Sequence, residues 1–182
     1  MPMYISVNQM MEIEVPNGTS IEIKGNMIEV KGSLGTNKRE FNDSLIKVTK
    51  SDKKIVIDSV KDKGLAKKAV KVEGTFKTEL ENDIKGVNAH FEKKMRIVFA
   101  HFPITVEVKD KTVFIKNIIG ERFPRTADIV GSTTIEVKGQ AVRVYGISLD
   151  DVGQTAANLR KACKIRNKDD RVFQDGLYYE LE

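Results

Sequence analysis

The sequence repeats itself. Residues 21–35, IEIKGNMIEVKGSLG, align without gaps to residues 106–120, VEVKDKTVFIKNIIG, at an offset of 85. Four positions are identical: Glu22/Glu107, Lys24/Lys109, Lys31/Lys116 and Gly35/Gly120. Five more pairs exchange one aliphatic residue for another, namely Ile21/Val106, Ile23/Val108, Ile28/Val113, Val30/Ile115 and Leu34/Ile119. Apolar residues alternate on both arms of each copy, and a polar turn, Gly25-Asn26 or Asp110-Lys111, separates the arms. That pattern predicts a β-hairpin in each copy. A chain with this repeat is constrained to fold twice in a similar way.

A second hairpin follows in each copy, LIKVTKSDKKIVID at 45–58 and TIEVKGQAVRVYG at 134–146. Ile46 and Val48 match Ile135 and Val137 at an offset of 89, whereas Ile55 and Ile57 match Val142 and Val144 at 87, so the length change falls in the turn. Each unit then ends in a helix. Leu65, Ala69, Val72, Phe76 and Leu80 form one apolar stripe on a helix from about 62 to 86, and Val152, Ala156, Leu159 and Cys163 keep that phase in the second copy. Asp150 or Asp151 is the expected N-cap of the second helix. The fold class is therefore α+β, with two tandem similar domains over 1–84 and 87–182. Each is expected to be an antiparallel sheet covered on one face by an α-helix, because a half-buried sheet needs an apolar cover. The boundary falls at Lys85-Gly86-Val87.

Composition excludes several classes. Of 182 residues, 40% are hydrophobic and 31% charged, which suits packed cores and argues against wholesale disorder. The single cysteine, Cys163, forms no intramolecular disulfide, so intracellular residence is expected. The start MPMYISVNQMMEIEV lacks a basic segment followed by an apolar core, and no uncharged apolar run approaches ~18 residues. Neither classical secretion nor membrane insertion is expected.

Enzyme motifs are absent: no phosphate loop, no G-x-G-x-x-G, no G-x-S-x-G and no H-E-x-x-H. No catalytic residue, cofactor or metal is assigned. The two histidines, His90 and His101, read as partly exposed strand or loop residues, and Cys163 as a small core residue. Gly32-Ser33-Leu34-Gly35 has the spacing of an RNA-clamping loop, but such a loop joins two helices and this one leaves a hairpin, so the match reads as chance.

Charge carries more information. The formal net charge is +5 with a pI near 9.2, an excess that favours anionic partners. Six cations, Arg160, Lys161, Lys164, Arg166, Lys168 and Arg171, crowd the end of the second helix and the following loop, against Asp169 and Asp170. A second set is Lys116, Arg122 and Arg125 in the irregular segment KNIIGERFPR, and a third, Lys31, Lys38 and Arg39, occupies the corresponding loop of the first copy. Arg-rich loops fit a sugar–phosphate backbone. Each half is nevertheless close to neutral, with 15 basic and 13 acidic residues over 1–85 and 16 and 13 over 86–182. That balance suits docking at one structured site better than free scanning of nucleic acid. It also leaves a competing reading, a two-domain protein–protein adaptor without RNA binding, whose apolar interface would survive ~1 M salt.

Two segments then resemble a known family. They are GVNAHFEKKMRIVFAHFPI at 86–104 and the stretch from Gln154 through Arg160 to RVFQDGLYYE at 171–180, with Arg171-x-Phe173-x-Asp175-Gly176-Leu177-Tyr178 as its most specific part. The chain resembles the large-subunit ribosomal protein L-six family in its archaeal and eukaryotic branch. It lacks the Tyr-Lys-Gly-Lys-Gly type element of bacterial members. The resemblance covers essentially the whole chain. It implies a non-catalytic, cytoplasmic component of the large ribosomal subunit, monomeric within the ribosome. Such a component binds large-subunit rRNA near the sarcin-ricin loop and the stalk base, beside neighbouring ribosomal proteins and translation factors. It also implies that the second domain makes most rRNA contacts. Cation density then favours Arg160, Lys161, Lys164, Arg166, Lys168 and Arg171 first, Lys116, Arg122 and Arg125 second, and Lys138 in the turn Lys138-Gly139-Gln140 third. Phe123 and Tyr178 are candidates for stacking on an unpaired base, with packing in the core or tail the expected role.

Overall fold

A computed structural model describes residues 11–51, 54–59, 66–169 and 171–180. The chain divides into two compact units after Asn88. Both are α+β with antiparallel sheets.

The first unit contains β1 (Met11–Glu14), β2 (Ser20–Lys24), β3 (Met27–Lys31), β4 (Thr36–Glu40), β5 (Ile46–Ser51), β6 (Lys54–Ser59) and α1 (Ala66–Gly86). Its hairpins form as the alternation predicts. Ile21 faces Val30 and Ile23 faces Ile28 across a turn at Gly25-Asn26. The sequence reading expects one sheet, but the ladders separate into two, ordered β2-β3-β4 and β1-β6-β5. The division lets inward residues of both sheets meet: Ile28 and Val30 from one share a cluster with Ile55 and Ile57 from the other. Phe76, Leu80 and Ile84 of α1 join that cluster. Each fully buried aliphatic side chain there contributes roughly 1.5–3 kcal/mol.

The first four positions of the expected 62–86 helix lie outside the described residues, as does Leu65 of the stripe. Ala69, Phe76 and Leu80 are buried, and Val72 packs partly buried against the cluster. Two carboxylates of the helix are buried as well, Glu73 and Asp83.

The second unit contains β7 (Phe91–Val98), β8 (Thr105–Lys109), β9 (Thr112–Lys116), a 3₁₀ turn at Ile118–Gly120, β10 (Arg125–Asp128), β11 (Thr134–Lys138), β12 (Ala141–Gly146), α2 (Leu149–Cys163) and β13 (Gly176–Tyr179). Its sheets are ordered β10-β9-β8 and β11-β12-β7-β13. Val106 faces Ile115 and Val108 faces Val113, the same register as in the first hairpin. Val152, Ala156, Leu159 and Cys163 are buried in one cluster with strand residues of both sheets.

The N-cap of α2 differs from expectation. Ser148, extended at φ −99 and ψ 121, accepts a hydrogen bond from the Asp151 N–H at 3.2 Å, while Asp150 and Asp151 lie in the first helical turn. A cap must have extended backbone while its side chain reaches back to the free N–H groups, and the carboxylates one turn later favour the positive helix end instead. Ser148→Ala is expected to cost about 1 kcal/mol. Thermal denaturation followed by circular dichroism should show the second unit melting roughly 4–8 °C lower.

Candidate nucleic-acid interface

Between β9 and β10 the backbone takes three left-handed conformations, at Asn117 (φ 64), Ile119 (φ 49) and Gly120 (φ 73). Glycine tolerates such angles, whereas a β-branched isoleucine does so at a cost that the surroundings must offset. Those surroundings are specific. The Asn117 side-chain amide donates to the Pro103 carbonyl at 3.1 Å. The ring of Phe102 lies against Gly120, so a Cβ there would meet it at 3.3 Å. Arg125 then ties the segment to the end of α2, donating to the carbonyls of Ala162 at 3.0 Å and Lys164 at 2.9 Å. The last carbonyls of a helix have no intrahelical donor, and the guanidinium supplies one. Its other edge pairs with Glu121, whose carboxyl that hydrogen bond holds below the usual carboxylate range.

α2 stops at Lys164, where the backbone turns extended. The negative end of the helix dipole favours cations, and five exposed ones cluster there, Arg160 and Lys161 in the last turn and Lys164, Arg166 and Lys168 beyond it. Among the described residues none of the five forms an ion pair with an acidic group. They line two adjoining clefts. One, of about 460 Å³, is bounded by Lys161, Lys164, Arg166 and Lys168 and by Ile119, Glu121 and Arg125 of the β9–β10 segment. The other, of about 830 Å³, shares Lys161 and Lys164 and adds Arg160 and the tail from Phe173 to Tyr179.

The tail is fixed by buried and stacked groups. Leu177 faces Ile97 in the β13–β7 ladder. Asp175, 2% exposed, accepts from the Ala100 N–H at 2.9 Å and lies 3.2 Å from His101 Nδ1. Burial pushes its carboxyl up, but the hydrogen bonds from Ala100 and His101 outweigh that and hold it below the ordinary range. The His101 ring stacks on Phe173 with centroids 4.9 Å apart, and Lys168 lies 5.5 Å from the Phe173 centroid. Arg160 packs over Tyr179 at 5.3 Å. Cys163 is buried, which raises its thiol to about 11 and leaves it a packing residue. His90 and His101 are exposed in the loops flanking β7. Among the described residues no group of three or more His, Cys, Asp or Glu could hold a metal ion, and no helix is long and apolar enough to cross a membrane.

The sequence-predicted cations therefore sort themselves. Arg160, Lys161, Lys164, Arg166 and Lys168 come together. Arg171 pairs with Asp169 at 3.2 Å. Arg122 is exposed in the β9–β10 segment. Arg125 lines the smaller cleft, but its guanidinium holds the loop to the helix. Lys116 is paired with Glu107 at 2.6 Å and Lys138 with Glu136 at 2.8 Å, and neither lines either of these two clefts. Lys138 ends β11 and the turn is Gly139-Gln140.

Two expectations are corrected. Lys31, Lys38 and Arg39 are strand residues of β3 and β4, not loop residues, because β4 completes its sheet by pairing with β3. Phe123 is not packed in a core: it is 80% exposed.

Comparison with known proteins decides the family. The sequence model described as ribosomal protein L6 matches residues 102–176. The chain is 44% identical over 171 residues to the large ribosomal subunit protein uL6 of Methanobrevibacter smithii, covering 92% of each chain. It is 42% identical over 175 residues to that of Methanocella arvoryzae, covering 96% of this chain and 97% of the relative. The chain belongs to the ribosomal protein L6 family. The Methanosarcina mazei relative is 43% identical over 166 residues, 91% of this chain and 93% of its own. The match to the family model contains the whole β9–β10 segment, α2 and all ten cations ranked from the sequence as rRNA contacts.

Proposed function

We propose that this chain is a structural, non-catalytic constituent of the large ribosomal subunit. It docks on large-subunit rRNA near the sarcin-ricin loop and the stalk base, beside neighbouring ribosomal proteins and close to where translation factors bind. It acts in the cytoplasm as a single copy in the ribosome. The observation that carries this reading is the convergence of Arg160, Lys161, Lys164, Arg166 and Lys168 on two adjoining clefts with no acidic partner among the described residues. Cations left unpaired by their own protein are available to phosphates. The relatives' designation as large-subunit proteins supports it independently.

The chain is built as a duplication, with repeats over about 1–84 and 87–182, each with one helix covering its strands. The matching strand orders support this: β1-β6-β5 corresponds to β7-β12-β11, and β2-β3-β4 to β8-β9-β10. Even the hairpin ion pair recurs, Lys31 with Glu22 and Lys116 with Glu107. The second repeat carries most of the rRNA contacts.

Recognition works through shape. A-form RNA hides its major-groove edges, so cations reach phosphates and 2′-hydroxyls while the fixed clefts select a folded surface. With those five cations and Arg122 engaged, log affinity for an rRNA fragment containing the sarcin-ricin region should fall against log salt with a slope of about −5. A steep slope with clear preference over an unrelated structured RNA is the expected result. Weak and equal binding to both RNAs would overturn the reading.

A further inference from the structure

Phe123 is the most exposed large apolar side chain among the described residues, at 80%, and it is displayed by the β9–β10 loop with its three left-handed residues. It precedes Pro124, and a residue before proline is confined to extended backbone. It stands two residues from Glu121 and two from Arg125, both of which line the smaller cation-bounded cleft. The loop beneath is braced on each side: the Asn117 amide holds Pro103, the Phe102 ring supports Gly120, and Arg125 grips the end of α2. An aromatic ring held in solvent on a rigid loop meets a stacking partner without first having to be ordered. The cleft that Glu121 and Arg125 line is bounded also by Lys161, Lys164, Arg166 and Lys168, and Arg122 directly precedes Phe123 in the chain. An exposed ring on a loop that borders a cationic groove suits an unpaired nucleobase, the base stacking on the ring while its phosphates enter the groove. An apolar pocket of a protein partner would fit the ring but not the cations.

We propose that Phe123 is a base-stacking site: its ring takes an unpaired rRNA nucleobase whose flanking phosphates lie in the cleft between the β9–β10 segment and the end of α2. This rests on the rRNA-docking reading above and adds to it a specific contact of a different chemical kind. Stacking involves no counterion release, so it changes affinity without changing the salt slope.

The test compares the full-length chain with Phe123→Ala, Phe123→Leu and Phe123→Trp, each titrated with the rRNA fragment containing the sarcin-ricin region and with an unrelated structured RNA. The side chain is exposed, so the variants should fold and melt like the parent. Phe123→Ala and Phe123→Leu are both expected to bind the fragment roughly 10- to 100-fold more weakly, with unchanged salt slope, while Phe123→Trp binds like the parent. The chain contains no tryptophan, so Phe123→Trp introduces the sole indole, and its emission should be quenched at saturation. Phe123→Ala within twofold of the parent, or unchanged indole emission at saturation, would overturn the stacking site and leave the docking reading standing. Parent-like binding by Phe123→Leu would also overturn it, since a merely apolar contact does not need a ring. If the parent itself shows no preference for the fragment, the docking reading falls and the stacking site falls with it.

Discussion

Replacing Arg160, Lys161, Lys164, Arg166 and Lys168 together with alanine is expected to abolish most rRNA affinity without unfolding the protein. Each phosphate contact contributes about 0.9 to the salt slope, so losing five should flatten it by roughly 4–5 and weaken binding roughly 10³- to 10⁴-fold at 0.15 M salt. All five side chains are exposed, and the helix bearing the first two is held by Val152, Ala156, Leu159 and Cys163 on its opposite, buried face. The structural cost is confined to two ring contacts, Arg160 on Tyr179 and Lys168 on Phe173, of about 0.5–1 kcal/mol each. A matched control removes five exposed lysines of the first unit, Lys24, Lys38, Lys47, Lys68 and Lys71. It should lower affinity far less. Equal losses in both variants would mean that net charge rather than the clefts carries the binding.

The second large effect concerns stability and comes from an arginine that the sequence alone places in a basic cluster of the first copy. Arg39 on β4 donates from Nε to Asp83 Oδ2 at 2.6 Å and from Nη2 to Oδ1 at 3.1 Å, while Nη1 reaches Glu79 Oε2 at 3.0 Å. Asn37 donates to the same Asp83 carboxylate at 3.0 Å. The Asp83 side chain is 4% exposed and that of Arg39 19%, so this pair is largely removed from water. Removing one partner of a buried pair leaves the other charged and desolvated, which costs ~3–5 kcal/mol when burial is complete. Arg39 keeps some solvent contact, so Arg39→Ala is expected to cost about 2–4 kcal/mol and lower the melting of the first unit by roughly 10–20 °C. Arg39→Lys should recover only part of this, because an ammonium cannot make the two parallel bonds. Affinity for rRNA should change less than about twofold, since this guanidinium is committed within its own unit. A stable Arg39→Ala variant with weakened RNA binding would reverse that assignment.

These two predictions separate what is local from what is not. Both first hairpins, their turns and the apolar stripe of α2 were legible because each rests on a spacing of two or of three to four residues. The repeat was legible because its copies keep that phase over many positions. The cation-rich end of α2 was legible too, since Arg160 to Lys168 are neighbours in sequence and on the structure alike.

Long-range pairing was not legible. β4 reads Thr-Asn-Lys-Arg-Glu, with no apolar residue to betray a strand, and it becomes one only by pairing with β3. β13 joins its sheet by pairing with β7 about 80 residues earlier. Ser148 caps α2 in place of the two aspartates because cap choice depends on which residue the backbone leaves extended.

Residues close together in the chain encode the hairpins, the phase of the second helix, the family and the segment where positive charge concentrates. Folding settles which cations are committed to carboxylates and carbonyls, as Arg39 and Arg125 are, and which stand in the clefts without an acidic partner among the described residues. It also leaves Phe123 facing solvent. The carboxylates that hold Arg39 and the carbonyls that hold Arg125 lie 37–44 residues away along the chain, so whether a charge or a ring is satisfied depends on what folding brings against it.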